Sequence, residues 1–171
     1  MKKNIKMYNV IFPMWLLIFF PLTWIIVLPA NFVIDLAILA LTLRALKVQR
    51  LGKYIKSSIL KVWIFGFASD IIGALFMFLM YVIDFDYQTE LGKWWYENMS
   101  SAIAYQPFQS IFSFLWVTIC VLIAGVCIYF FNYKISFKHL ELTDAEKKFV
   151  ALTLAILTAP YLFYLPTAWF F

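Results

Sequence analysis

The chain has 171 residues, of which 65% are hydrophobic and only 13% are charged, whereas a soluble domain is about a quarter charged. This composition excludes a globular protein in water and indicates one integral membrane domain over residues 1–171, with no separate soluble part. The net charge of +5 is compatible with nucleic acid or with a membrane surface, and the positions of the cations favour the membrane.

Five apolar runs predict a bundle of five transmembrane helices, because a span needs about 20 apolar residues. The runs cover 10–28, 31–46, 62–82, 108–131 and 149–166. As one helix, the first two runs would be about 55 Å long, too long for a hydrocarbon core of about 30 Å. Pro29 and Asn31 predict a break between them, since proline disfavours helix in the residue before it and asparagine caps helices.

The first run follows basic residues, as in a signal peptide, but it is long, bulky and interrupted by Pro13 and Pro21. The nearest small-residue cleavage pattern, Leu28 to Ala30, is poor, so we expect the run to be retained as the first span. Pro21 would free the carbonyl of Leu17 inside the membrane. That carbonyl belongs either to an ordinary kink or to a cation site near a carboxylate.

The lysines and arginines fall into three groups that predict the topology. Residues 2–6, 44–61 and 134–148 hold 13 of the 14 cations, and Lys93 alone lies elsewhere. With five spans and a cytoplasmic N-terminus, all three groups face the cytoplasm, as the positive-inside rule requires, and the C-terminus lies outside. Twelve lysines against two arginines are typical of an AT-rich bacterial genome. The expected location is therefore the plasma membrane, as a multi-pass protein of the bacterial inner membrane.

The segment 44–61 predicts an amphipathic helix lying on the inner leaflet between spans two and three. Apolar residues recur in it at 48, 51, 55 and 59, and cations occupy the other face, which is typical of interfacial helices. The expected ligands of this face are anionic lipid headgroups, with each cation contributing about 1 kcal/mol. The cations concerned are Arg44, Lys47, Arg50, Lys53 and Lys56.

Two connecting segments complete the predicted topology. Residues 84–107 carry four acids and face outward, with the aromatic residues 94–96 at the headgroup level, where such side chains anchor membrane proteins. The inner segment 132–147 contains Thr-Asp-Ala-Glu, a capping box that predicts a helix start near Thr143.

The sequence holds no pattern typical of a catalytic or metal centre, so neither an enzyme nor a resident metal or cofactor is expected. It contains no zinc motif, no glycine-rich phosphate loop and no nucleophile, base and acid at a useful spacing,. The one histidine, His139, is expected to be solvated. Ser69 stands beside Asp70, but adjacent helix residues point about 100° apart. Cys120 and Cys127 are expected to be small packing residues.

Two acids lie inside predicted spans, where a carboxylate is costly unless other groups compensate it. Asp35 shares one helix face with Asn31 and Thr42, at helical spacing,. The face of Asp70 also holds Ser69 and two glycines, and small residues let helix backbones approach closely. We therefore expect both acids to face protein or water, close enough to share a proton or a cation.

Two interpretations of these acids remain open. In one, each acid is a structural hydrogen-bonding residue; in the other, Asp35, Asp70, Asn31 and Ser69 form an ion- or proton-binding site. The site interpretation predicts ion permeation or ion-coupled transport, and the alternative is a non-catalytic accessory or assembly subunit of a larger membrane complex. Because known transporters often use paired repeats, five short spans predict a homo-oligomer or a membrane partner subunit.

Overall fold

A computed structural model describes residues 13–169, and within that range the chain is helical and contains no strand. The α-helices are α1 Trp24–Ala45, α2 Leu51–Val82, α3 Glu90–Trp95, α4 Ser101–Tyr105, α5 Ile111–Phe131 and α6 Asp144–Leu157. Short 3-10 helices cover Met14–Phe19, Tyr161–Tyr164 and Thr167–Trp169, and π-helices cover Tyr96–Ser100 and Asn132–Ser136.

Three helical segments among the described residues are long and apolar enough to cross a membrane. They are Trp24–Ala45, Leu51–Val82 and Ile111–Ser136, the last combining α5 with the π-helix that follows it. This confirms the all-helical membrane class that the composition predicts. The count of five spans is not confirmed, since α6 has 14 residues and is therefore only about 21 Å long.

The break predicted at Pro29 and Asn31 is wrong, because α1 runs without interruption from Trp24 to Ala45. Pro29 lies in the second turn of α1, where its missing N–H removes a single hydrogen bond. A neighbouring helix supports the chain there: the Trp63 indole N–H donates to the Leu28 carbonyl at 2.8 Å. Membrane helices tolerate proline where such contacts hold the backbone.

The first apolar run forms no crossing of its own among its described residues. Its described part consists of Pro13, the 3-10 helix Met14–Phe19, a turn and the start of α1. The Trp15 ring packs edge-on against Tyr81 near the C-terminal end of α2, with 6.1 Å between ring centroids. Residues 14–19 therefore lie beside the end of α2 that is remote from the turn joining α1 to α2.

The separate interfacial helix predicted for 44–61 is also wrong in its bounds. The segment contains the end of α1, a turn, and the first part of α2, which continues without a break to Val82. The turn is a Schellman motif: Lys47 N–H donates to the Arg44 carbonyl at 3.0 Å and Val48 N–H to the Leu43 carbonyl at 3.3 Å,. Lys47 has the positive φ of 54° that this motif requires.

Contacts between distant segments define a basic end of the bundle. The Tyr54 hydroxyl donates to the Glu141 carbonyl at 3.1 Å, so residues 44–61 and 134–148 lie at the same end. These two ranges hold ten of the eleven cations in residues 13–169. The start of α6 also lies here, where Thr143 and Glu146 form the predicted capping box. Hydrogen bonds from the Thr143 backbone and hydroxyl hold the pKa of Glu146 below its usual range.

The opposite, acidic end carries residues 84–97 and gathers both described ends of the chain. The Trp15 indole N–H donates to the Ile103 carbonyl at 3.1 Å, and the Thr167 hydroxyl donates to the Ala104 carbonyl at 3.1 Å. One apolar cluster fills each end: Leu39, Leu43, Val62, Ile128 and Phe137 belong to the basic-end cluster, and Trp15, Met77, Ile103, Val117 and Phe163 to the acidic-end cluster.

Candidate functional site

A cavity of about 450 Å³ opens between four parts of the chain: the 3-10 helix Met14–Phe19, α1, α2 and residues 157–165. Its lining is mainly aliphatic and aromatic. The polar side chains that reach it include Asn31, Asp35, Asp70 and Thr158. Of the described residues that line the cavity, none carries a positive charge.

The structure brings Asp35 and Asp70 to this one cavity from two different helices. Both side chains are buried, with relative exposures of 5% for Asp35 and 9% for Asp70. Asp35 enters the cavity from α1 and Asp70 from α2. The two acids therefore line the same cavity, and their direct pairing stays a prediction.

The carboxyl group of Asp70 is incompletely satisfied, which is unusual for a buried polar group. Its Oδ1 atom is buried and has no hydrogen-bond partner in the described part of the chain. Within residues 13–169, the Asp35 carboxyl group likewise takes part in no side-chain hydrogen bond. Both carboxyl groups thus retain capacity for a proton, a cation or a hydrogen-bond donor.

Gly66 explains how the two acids can meet. A Cβ atom at this position would lie 3.3 Å from Asp35 Oδ2, so the absence of a side chain leaves room for that carboxyl group beside α2. Gly66 precedes Asp70 by four residues, one helical turn, and therefore presents the same face of α2. Asp35 Oδ2 therefore packs against the small-residue face of α2 at Gly66.

The other predicted members of the site fall in different places. Asn31 is partly buried and lines the cavity, one turn before Asp35. Ser69 is fully buried but does not line the cavity, and its hydroxyl donates to the Phe65 carbonyl at 2.7 Å. Thr42 likewise donates to its own helix, at the Ile38 carbonyl. The site therefore consists of Asp35, Asp70 and Asn31, without Ser69.

Residues 157–165 form a wall of the cavity that sequence reasoning missed. This segment has the aromatic composition of a membrane-interface belt. That composition alone does not indicate that the segment also lines a cavity. Thr158 ends α6 two residues before Pro160, and its hydroxyl donates to the Leu154 carbonyl at 2.8 Å. The end of α6 before Pro160 was the sequence signal for this wall, because the chain turns there and then lines the cavity beside α1 and α2.

The carbonyl freed by Pro21 is not available as a cation ligand. The Leu17 carbonyl accepts hydrogen bonds from the Phe20 N–H at 3.0 Å and from the Thr23 hydroxyl at 2.6 Å. Pro21 therefore marks a turn before α1 and contributes no free backbone oxygen to the cavity.

The five cations predicted to bind lipid headgroups are all exposed at the basic end. Arg50 and Lys53 lie 3.7 and 3.4 Å from the Glu141 carboxylate. Because these side chains are more than half exposed, such ion pairs contribute little and leave the cations able to meet lipid phosphates.

Chemically, the carboxyl groups that line the cavity can take up a proton, a cation or a hydrogen-bond donor. Within residues 13–169, no three His, Cys, Asp or Glu side chains come together as a metal site would require.

Comparisons with protein-family models, with curated proteins and with solved structures found no match to this chain.

Proposed function

We propose that the protein belongs to the ion-permeation or ion-coupled transport class and binds a proton or a cation between Asp35 and Asp70 inside the membrane. The observation that carries this proposal is the unpartnered, buried Oδ1 of Asp70 in the same cavity as Asp35. Two interacting carboxylates at a buried site repel each other strongly when both are ionised. A shared proton or a bound cation removes that repulsion, and the two then titrate as a pair.

Intramembrane carboxylates of this kind mark ion pathways and proton relays in membrane proteins. A structural role alone explains the site less well, because a structural acid would use its oxygens in hydrogen bonds to neighbouring side chains. Here the hydroxyls of Ser69 and Thr42, on the same two helices, bond to backbone carbonyls instead.

We further propose that the basic end faces the cytoplasm, in the plasma membrane and most simply a bacterial inner membrane. The concentration of cations at this end supports the orientation through the positive-inside rule. Lys2, Lys3 and Lys6 lie outside the described residues, so the side of the N-terminus stays a prediction, as does the number of five spans.

The small number of long helices favours a protein that acts as a homo-oligomer or with a membrane partner. Alternating access commonly uses two repeats that move against each other, and the three long helices within residues 13–169 do not form such a pair. The same observation favours the alternative function, a non-catalytic accessory or assembly subunit of a larger membrane complex.

The proposal is tested with purified protein in proteoliposomes that contain a pH-sensitive dye, with a potential imposed by valinomycin and K⁺. Wild-type protein should conduct protons, and Asp35→Asn and Asp70→Asn should each lower the initial rate at least tenfold. Parallel vesicles with radioactive Na⁺ test a metal cation in place of the proton. The matched control is Asp84→Asn, which removes one exposed acid outside the cavity and should leave the flux unchanged.

Circular dichroism and gel filtration establish that each Asn variant is folded. Equal flux of either ion in wild type, Asp35→Asn and Asp70→Asn would contradict the transport proposal. Absence of flux in wild type, together with loss of a co-purifying membrane protein in the Asn variants, would favour the accessory subunit.

A further inference from the structure

We propose that the natural substrate class of the Asp35–Asp70 cavity is a lipophilic organic cation, meaning an ammonium or phosphonium centre carried on an apolar body. This inference rests on the proposed function and deepens it, because it names what the carboxylate pair binds. The size, the lining and the position of the cavity each support it.

The size of the cavity exceeds what a proton or a dehydrated metal cation needs. Its volume of about 450 Å³ lies within the range of about 300–1,000 Å³ typical of small-molecule sites. A small inorganic cation there would contact two carboxylates and then mostly hydrocarbon, which cannot replace its hydration shell. An organic cation, in contrast, brings an apolar body that fills the remaining volume.

The lining matches such a ligand in both charge and character. Asp35 and Asp70 supply negative charge on one side, with no opposing cation among the described lining residues. Aromatic side chains line other parts of the cavity, including Trp15, Phe67 and Phe163, and aromatic faces attract cations. A neutral apolar molecule would give the buried Asp70 oxygen no hydrogen-bond or ionic partner, and an unsatisfied buried polar group costs free energy.

The mouth of the cavity offers a route for a ligand dissolved in lipid. Ile34, Tyr161 and Leu162 line the cavity, yet their relative exposures are 48%, 52% and 74%. Ile34 belongs to a membrane-spanning helix, so the surface beside it faces hydrocarbon. The cavity thus opens sideways between α1 and residues 157–165, and an apolar cation can enter from the bilayer.

The probe for this proposal is radiolabelled tetraphenylphosphonium, measured by equilibrium dialysis against the full chain in nanodiscs of zwitterionic lipid. Tetraphenylborate, nearly the same in shape but negative, is the matched ligand control. Wild type should bind the cation saturably at one site and should not bind the anion saturably. Asp35→Asn and Asp70→Asn should each weaken cation binding at least tenfold, and Asp84→Asn should bind like wild type.

A second variant tests the route and the shape of the site without changing either carboxylate. Ile34→Trp places a larger side chain at the mouth, on a half-exposed position where folding tolerates it. It should weaken tetraphenylphosphonium binding several-fold, and binding as strong as in wild type would contradict a ligand route past Ile34.

Failure of this inference is distinguishable from failure of the proposed function. Proton flux that depends on both acids, with no saturable tetraphenylphosphonium binding, would overturn the inference alone. Saturable binding that depends on both acids, without flux of protons, Na⁺ or tetraphenylphosphonium, would sustain the binding site and overturn transport. Binding equally strong in wild type, Asp35→Asn and Asp70→Asn would place the cation elsewhere and overturn the inference.

Discussion

Gly73 lies where α2 meets α5, and its lack of a side chain permits the contact. A Cβ atom there would be 3.0 Å from Phe163 Cε2, 3.1 Å from Ala124 Cβ and 3.1 Å from the Cys120 carbonyl oxygen. Gly73→Ala should therefore lower the free energy of unfolding by about 1–3 kcal/mol through overpacking. Thermal unfolding in detergent, followed by circular dichroism, measures the loss.

Gly52→Ala is the matched control for this residue. No atom lies within 4 Å of a Cβ at Gly52, and alanine favours a helix over glycine by up to about 1 kcal/mol. The control should be neutral or slightly stabilising. If Gly73→Ala were as stable as Gly52→Ala, α2 and α5 would be able to move apart and accommodate the added methyl group.

The faces of individual helices were predictable from sequence, whereas hydrogen-bond partners were not. Spacing predicted that Asp35 and Asp70 face protein or water, and both are buried. Spacing did not show that Ser69 would use its hydroxyl on its own backbone. A hydroxyl in a helix can bond to the carbonyl four residues earlier at little cost, so its presence on a polar face does not make it a ligand.

Among the helix connections, the turn between α1 and α2 contains a local strain at Lys47. Its φ of 54° lies in the left-handed region, which costs roughly 1–2 kcal/mol for a residue with a Cβ and which glycine adopts freely. Lys47→Gly should therefore raise the free energy of unfolding by roughly 0.5–1 kcal/mol, after allowing for the greater entropy that glycine has in the unfolded chain.

Lys56→Gly is the control for Lys47→Gly, since both remove one exposed lysine from the basic end. Lys56 lies inside α2, so glycine there should lower stability by about 0.5–1 kcal/mol. Thermal unfolding midpoints should move in opposite directions for the two variants. A lower midpoint for both would mean that the lysine charge, and not the backbone conformation, dominates at position 47.

Helix boundaries were harder to predict than helix faces, and Pro29 shows why. The local sequence favours a break, because proline removes a donor and restricts the residue before it. The opposing contribution comes from Trp63, whose indole N–H bonds to the Leu28 carbonyl and whose ring packs edge-on against Phe32. No local pattern contains a contact between residues 35 positions apart.

For the whole molecule, composition predicted the class, and the basic groups predicted which segments share an end. The described ranges 44–61 and 134–148 do lie together, joined through Tyr54 and Glu141. The path of the first apolar run could not be predicted, since hydrophobicity does not distinguish a crossing from a segment packed against one end. Trp15 fixes that segment through its bond to Ile103, which is 88 residues away.

The orientation of the bundle gives the last prediction, tested by a membrane-impermeant thiol reagent on intact cells and on inverted vesicles. Lys93 lies in α3 at the acidic end and Lys53 at the basic end. Lys93→Cys should therefore react from outside and Lys53→Cys only from the cytoplasmic side. Ala168→Cys should react like Lys93→Cys, because its neighbour Thr167 bonds to Ala104 at the acidic end.

The unmodified protein is the control for labelling, since Cys120 is buried and both native cysteines lie within the membrane-spanning helix α5. Labelling of Lys53→Cys and Lys93→Cys from one side would contradict the bundle as described. Labelling of Lys53→Cys from outside, with Lys93→Cys protected, would keep the bundle but reverse it. The cation density at the basic end would then need a cause other than the positive-inside rule.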